Sequence, residues 1–498
     1  MIQNTRPYYF FIRLSIWALR AIFPASLIYC SCKVLGYSFL PWQVETTAVA
    51  EVLFYFFISL PRQHQLNNSG PQSVRRSCEE RRALFEKCWT NIPDLDFFFR
   101  VWFKGAPLNT IYRDDLKDFL SWGFLYKPQA SPSDDDELEE YILKTEHRLG
   151  ITFPLGRGPS RPSQVSTDPL NLQHKPLIFY LAAVFPDDLQ TYLTASLFLS
   201  LTHYRLPLYS SLFIFPPRPH TLFSPHISPS PFLPYYYRPH TSPTTRPLLL
   251  IHGIGAGLRT YTSFLSSFIK SSPGTGIIAL EMMQISMRIT TSIPPLSTLH
   301  SEIIKILNHH DWDKCTILAH SYGTIIANHL LKHSPSRISS LLLVDPVTLS
   351  IHWGGIPYNF LYRQPKKASE WQLHYFASRD MGVAHSITRR FDWSENVMWK
   401  EELMRHKRRV PVVVALAEED IIVDTEGLKQ YLVVDKGLNT RVYDSEDILK
   451  DGWNDTKDEL GIIWFKGINH SEMFDKPERW DVLVEVVRAH STIKAESE

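Results

Sequence analysis

Thr316-Ile317-Leu318-Ala319-His320-Ser321-Tyr322-Gly323-Thr324-Ile325-Ile326-Ala327 decides how the chain is read. A short apolar run of β character meets Ser321 between two small residues, and a helical pattern follows at once. This is the layout of a nucleophile elbow, a tight strand-to-helix turn that holds a serine hydroxyl exposed above a sheet. Ala319 and Gly323 are small where strand and helix backbones pass close together; glycine is commoner at the first position, so Ala319 is a mild departure. Motifs of this length also arise by chance. The reading therefore turns on whether the rest of the chain supplies the partners such a serine needs.

Working outward, apolar runs alternate with helical patterns from Pro247 onwards. Leu248-Leu249-Leu250-Ile251 reads as a buried strand that ends in the loop His252-Gly253-Ile254-Gly255-Ala256-Gly257. Further strands are expected at 276–280, 339–344, 411–417 and 461–465, with helices over 299–307, 426–433 and 477–489. Apolar runs of this kind, spaced by helices, predict an α/β fold with a mostly parallel, doubly wound sheet covered on both faces. A span of about sixty residues separates the strand ending at Val344 from the one starting at Pro411, too long for an ordinary connection. Residues 350–409 are therefore expected to form a helical cap.

A serine hydroxyl is a weak nucleophile near neutrality and needs a base, which in turn needs an orienting acid. In open α/β sheets ligands collect at the carboxyl ends of the strands. Ala417-Glu418-Glu419-Asp420 follows one late strand, and Lys466-Gly467-Ile468-Asn469-His470-Ser471 follows the last. Ser321, Asp420 and His470 are accordingly the candidate catalytic residues, with Asp345, Glu418 and Glu419 as rival acids. Backbone amides of Tyr322 and of Ile254 or Gly255 are placed to stabilise an oxyanion. The glycine-rich loop lacks the third glycine of a dinucleotide site and the Lys-Ser or Lys-Thr of a P-loop, so no nucleotide is expected there. No cofactor is called for. His309-His310-Asp311 has the look of a metal cluster, but adjacent side chains at a helix end diverge, and it is assigned no function.

The His-Gly loop, the Ala-His-Ser-Tyr-Gly elbow, Asp420 and His470 together resemble the α/β-hydrolase superfamily over Pro247 to the C-terminus. Tyr237-Arg238-Pro239-His240-Thr241-Ser242, Val344-Asp345-Pro346-Val347 and the N-terminal helical region look like a group of fungal membrane-anchored members. The resemblance implies the fold, the roles of the three residues, membrane anchoring, and hydrolysis of an ester or lipid. The aromatic-rich insertion, with Trp353, Tyr358, Phe360, Tyr362, Trp371, Tyr375, Phe376, Phe391, Trp393 and Trp399, suits a cap over an apolar ester, with at least half of these rings in the cap's own core. Two alternatives stay open. One is an acyltransferase on the same residues, suggested by the His470-x-x-x-x-Asp475 spacing; the other is an inactive binding or scaffold protein.

The 498 residues divide by pattern into an apolar segment at 1–61, a helical region at 75–212, a proline-rich wrap at 213–246, and the catalytic part at 247–498. Charge is balanced, with 52 basic and 51 acidic residues, which gives no case for a nucleic-acid partner. Five cysteines lack metal-ligand spacing, and no disulfide framework is expected. The first segment reads as a transmembrane helix or an interfacial amphipathic stretch, though Arg13, Arg20, Lys33 and Glu51 interrupt it; the alternative is a helical pair packed on the protein. Residues 62–76 read as a linker and 177–201 as a hydrophobic helix or second membrane surface. The acidic run at 134–137 reads as a solvated face. Ten prolines from Phe213 to Pro247 inclusive argue against a helix or a central strand there. Arg389, Arg390, Lys407, Arg408 and Arg409 offer a weak attraction to anionic lipid. Glycosylation sequons at Asn67, Asn454 and Asn469 include one that contains the candidate base, which favours a cytosolic catalytic domain.

Overall fold

The computed structural model describes residues 1–68, 70, 76–407, 410–433, 440–453 and 460–493, with the side chains of 404–407 left aside. At its centre is a ten-stranded sheet. The strands are β1 (Thr202–Arg205), β2 (His226–Ile227), β3 (Tyr235–Arg238), β4 (Leu248–Ile251), β5 (Ile277–Leu280), β6 (Cys315–His320), β7 (Ile338–Val344), β8 (Val412–Ala417), β9 (Thr440–Asp444) and β10 (Leu460–Phe465). Their order is β2-β1-β3-β5-β4-β6-β7-β8-β10-β9. From β5 to β9 every neighbouring pair is parallel, while β3 is antiparallel to both its neighbours.

The apolar runs are continuous because both faces are covered. Alternate residues of each strand point to opposite faces. Leu249, Ile251, Ile317, Ala319, Val412 and Val414 share one core with the helices Leu296–His309, Gly323–His333 and Thr425–Val433. Leu248, Leu250, Leu318, Val413 and Ala415 share the other with Thr262–Ser271 and Pro477–Ser491. A mostly parallel, doubly wound sheet results, as expected.

Tyr235–Arg238 corrects one expectation. It lies inside the sheet, paired to β1 through Tyr237 and Thr202 and to β5 through Tyr235 and Leu280. Proline is barred from a central strand only where its missing N–H would break the ladder. Pro234 and Pro239 flank this strand and leave its four ladder residues intact. The sheet therefore starts upstream of Pro247, at Thr202.

The helical region upstream packs into the same core as the sheet. Leu95, Phe98, Phe99 and Trp102, with Leu116, Phe119, Leu120 and Phe124, are buried in one cluster with Leu249 and Ile317. The acidic run is only partly solvated, since Glu137 is buried and accepts hydrogen bonds from Arg81 and Tyr141.

Two apolar helices open the chain, α1 (Arg6–Val34) and α2 (Trp42–Phe54), the second continuing as helix to Asn67. Both stretches are long and apolar enough to cross a membrane by length and composition. Three of the four interrupting charges find partners outside the hairpin, while Lys33 stays exposed and pairs with Glu45. The Arg13 guanidinium stacks 3.8 Å above Trp371, Arg20 donates to Gln173 at 2.8 Å, and Glu51 accepts from the His174 ring and the Leu177 amide. Ile12 and Ile16 pack on Ala368 and Tyr375 of the insertion, while Phe10, Phe11, Leu14 and Trp17 face outward. The expected linker is helical as far as Asn67, and residues 71–75 lie outside the described set. Residues 177–198 form a helical run that buries Phe179, Tyr180 and Val184 against Phe54 and exposes Leu197 and Phe198.

Candidate active site

The elbow is a feature of backbone geometry first. Ser321 sits at φ +52°, a left-handed conformation that a serine adopts at a cost, and such strain persists only where the surroundings fix it. They do so here. The Ser321 amide donates to Val344 O at 2.9 Å, and Thr324 donates to Ser321 O from both its amide and its hydroxyl as the next helix begins. A Cβ at Gly323 would lie 2.4 Å from Ile251 O, and one at Gly253 would lie 2.8 Å from Ser321 Cβ. Glycine is therefore required on both sides of the serine.

Three strand ends converge on that hydroxyl. Ser321 Oγ lies 2.9 Å from His470 Nε2, and His470 Nδ1 lies 2.6 Å from Asp420 Oδ2. The other Asp420 oxygen accepts from the Ile422 and Val423 amides at 2.7 and 2.9 Å. Asn469 Oδ1 ties the acid loop to the histidine loop, accepting from the Ile421 and His470 amides. With His470 Nδ1–H donating to the carboxylate, Nε2 is left to accept the serine proton. Glu418 instead accepts from the Gly467 amide, and Glu419 is exposed. Asp475 faces the Met1 amine at 3.6 Å rather than His470.

Asp345, read as a rival acid, stands directly behind the pair. It is fully buried at φ +43°, with Oδ2 3.9 Å from His470 Nδ1 and 3.7 Å from His320 Nε2, and it accepts hydrogen bonds from the Ser471 and Ala417 amides. His320 Nδ1 accepts from Tyr261, whose hydroxyl in turn accepts from the Gly253 amide. Burial alone would lower the His470 imidazole, but the charge and hydrogen bond of Asp420, with Asp345 beyond, hold it above the ordinary histidine value. Burial raises the Asp420 carboxyl above the ordinary range despite His470. Burial lowers His320, which leaves it neutral. His320, Asp345 and His470 lie close enough to share an ion, yet both nitrogens of His470 are engaged by Ser321 and Asp420.

The loop after β4 is set by His252, buried, with Nδ1–H donating to Gly253 O and Nε2 accepting from the Met282 amide. Burial pushes its imidazole down to about 4. Of the two alternatives in this loop, the Gly255 amide is spent on Ile285 O at 3.1 Å. The amides of Ile254 and Tyr322 donate to no other group among the described residues, and both residues line the cavity at Ser321.

That cavity has a volume of about 420 Å³ and is mostly apolar. Ile351, Phe360, Phe376, Phe391 and Trp393 of the insertion line it, so four of the ten aromatic residues noted in the insertion face the site. Trp353 and Tyr375 are buried in cores, and Arg389 is buried too, donating to Ser166 O and Asp168 O, which removes it from any lipid surface. Lys407, Arg408 and Arg409 lie outside the described side chains. The opposite contribution was not legible: Trp102, Trp122, Tyr126 and Val165 of the N-terminal helical region complete the wall. Trp102 belongs to the buried aromatic cluster, and nothing local in the sequence marks a core residue as also facing a cavity.

Residues 246–431 match the family model described as the alpha/beta hydrolase fold. The chain has the alpha/beta hydrolase fold. No curated protein matches it. Among solved structures, this hydrolase-fold chain is similar to a carboxylesterase of the thaumarchaeon Nitrososphaera gargenis, at 18% identity over 53% of this chain and 97% of that one, with a TM-score of 0.35. A membrane phospholipase A described as a bacterial virulence factor aligns at 13% identity over 63% and 92%, TM-score 0.39. Carboxylesterase CesB of Bacillus subtilis aligns at 12% over 60% and 98%, TM-score 0.36. In the hydrolase fold of this chain the sequon at Asn469 is buried and its amide oxygen engaged, so it gives no guide to compartment; the Asn454 sequon lies outside the described residues, as does Ser69 of the Asn67 sequon.

Proposed function

We propose that the protein is a serine hydrolase of carboxylic esters with a largely apolar body. Ser321 attacks the carbonyl, His470 takes the serine proton and returns it to the leaving alcohol, and Asp420 orients and stabilises the imidazolium. The Ile254 and Tyr322 amides receive the oxyanion. An acyl-enzyme forms, and water activated by the same histidine releases it. The observation that carries this reading is the continuous relay from Ser321 Oγ through His470 to Asp420, at 2.9 and 2.6 Å, opening into an apolar cavity. Residues 350–409 act as the cap. The α1/α2 hairpin associates with lipid through its outward apolar face, with Arg13, Arg20 and Glu51 met by the rest of the protein. Turnover of medium-chain nitrophenyl esters tests the reading. Wild-type protein hydrolyses them, and Ser321→Ala and His470→Ala each lose on the order of 10⁴-fold or more in kcat. Wild-type rates no higher than those of either variant overturn it.

A further inference from the structure

The connection from β1 to β2, residues 206–225, together with the helical turn that leads into β1, has an unusual surface. No aspartate or glutamate occurs between Asp188 and Glu281, and from 189 to 234 the charged residues are Arg205 and Arg218 alone. Both arginines turn back into the protein. Arg205 donates to the carbonyl oxygens of Leu206 and Ser224, and the buried Arg218 side chain donates to Asp188 and Glu281. The one exposed group of this stretch that titrates near neutrality is His226. What faces outward is apolar and comes in adjacent pairs: Leu197-Phe198, Leu208-Tyr209, Leu212-Phe213 and Leu222-Phe223, with Phe198, Leu212 and Phe223 exposed by 80%, 83% and 84%. Apolar residues scattered singly over a surface are ordinary, whereas a concentration of them marks a contact site.

The connection is held in place from beneath. Leu206 and Ile214 are buried against Met283, which leaves Leu208, Tyr209, Leu212 and Phe213 on the outside. Phe215 exchanges two backbone hydrogen bonds with Ile289, at 2.8 and 3.0 Å, and Met287, two residues before Ile289, lines the active-site cavity. The Phe215 ring also packs on Phe54 of α2, with centroids 5.3 Å apart. Phe54 in turn is buried with Phe179 and Tyr180, while Phe57, Ile178 and Leu181 from the same two helical runs are exposed. The outward apolar surface of the hairpin is thus carried on, through Phe54 and Phe215, to the edge of the sheet.

We infer that the β1–β2 edge of the catalytic domain is a second lipid-docking surface, which lays Phe198, Tyr209, Leu212, Phe213, Leu222 and Phe223 into the interfacial region of the same phospholipid bilayer that the hairpin meets. Protein–protein interfaces surround an apolar centre with a polar rim. A stretch without acids, whose two arginines both face inward, supplies no charged rim of its own. Lipid requires none, and the strength of such a contact grows with the apolar area buried. The hairpin carries most of the binding and the edge adds to it, because a first contact with a surface makes the second intramolecular. Docking at this edge also sets the cavity beside the lipid, through the link from Phe215 to the strand-like segment at Met287. The inference goes beyond the ester-hydrolase reading and does not rest on it; it shares with the proposed hairpin contact only the lipid.

Hydroxyl-radical footprinting of the full 498-residue chain, with and without vesicles of dimyristoyl phosphatidylcholine, reads the contact side chain by side chain. Oxidation of Phe198, Tyr209, Phe213 and Phe223 is expected to slow by about threefold or more on the vesicles. Val442 and Leu449, exposed at the β9 edge about 40 Å away across the ten strands, keep their rates. The triple variant Phe198→Ser, Phe213→Ser, Phe223→Ser, with the hairpin unchanged, is expected to partition onto the vesicles about tenfold or more weakly. It keeps the wild-type melting temperature, since these side chains are exposed. Vesicle-bound wild type in which the four rings oxidise as fast as in free protein, or a triple variant that partitions as wild type does, overturns the inference and leaves the hairpin contact standing. Wild type that does not bind the vesicles overturns both. Slowing that appears without vesicles as protein concentration rises gives the edge to a second copy of the chain, and likewise overturns the inference.

Discussion

At the scale of single residues, the decisive quantity is the protonation of His470. In the proposed mechanism it must be neutral to take the serine proton, and its folded-state value lies above the ordinary 6.5 because, against burial, the charge and hydrogen bond of Asp420 and the charge of Asp345 together prevail. The sign follows: below that raised value the imidazole is protonated, so kcat/KM falls as pH drops through a midpoint above about 6.5. Asp420→Asn removes the stabilising charge and moves the midpoint down, with a loss of up to about 10⁴-fold in kcat. Asp345 lies 3.9 Å from His470 Nδ1 against 2.6 Å for Asp420, so if it helps to position the imidazole, Asp345→Asn is expected to move the midpoint down by less. A pH profile of ester hydrolysis checks both; an Asp345→Asn variant that loses stability without moving the midpoint would show Asp345 to be structural only. The candidate site was legible at this scale because a short motif and chain order place Ser321, Asp420 and His470 after three strands. Tyr261 and His320 were not, since their link to Gly253 and Asp345 exists only once β4, β6 and β7 lie side by side.

At the scale of elements, the turn at Ser321 and the N-terminal hairpin make separate predictions. Gly323→Ala drives a methyl to 2.4 Å from a backbone oxygen of β4, where no flexible side chain can yield. A loss of about 2 kcal/mol or more is expected, read from the denaturant midpoint. In the hairpin, Phe10, Phe11, Leu14 and Trp17 point outward while Ile12 and Ile16 pack inward. Replacing those four by serine removes roughly 1.5–3 kcal/mol of apolar burial each and is expected to abolish co-sedimentation with liposomes. Arg13→Ala, which faces Trp371, lowers the melting temperature and leaves liposome binding in place. The strands from β4 to β8, together with β10, were legible as unbroken apolar runs. β1, β2, β3 and β9 were not, because they are short, polar or flanked by proline.

At the scale of the whole molecule, the cavity is shared between parts that the sequence pattern separates. The insertion supplies Phe360 and Phe376, and the N-terminal region supplies Trp102 and Trp122. Their meeting was not legible because each stretch reads locally as an amphipathic helix with its own core, and only docking of the two onto one sheet leaves space between them. Phe360→Ala widens that space, and the preferred acyl chain is expected to lengthen, measured as the kcat/KM ranking over a series of ester chain lengths. The central claim, however, is that Ser321 is a nucleophile activated by His470 and Asp420, and covalent labelling tests it most directly. A fluorophosphonate probe followed by peptide mass mapping is expected to place one adduct on Ser321 in wild type, with none in Ser321→Ala and a much slower reaction in His470→Ala. A wild-type protein that takes no label, or that labels to the same extent as Ser321→Ala, would contradict it.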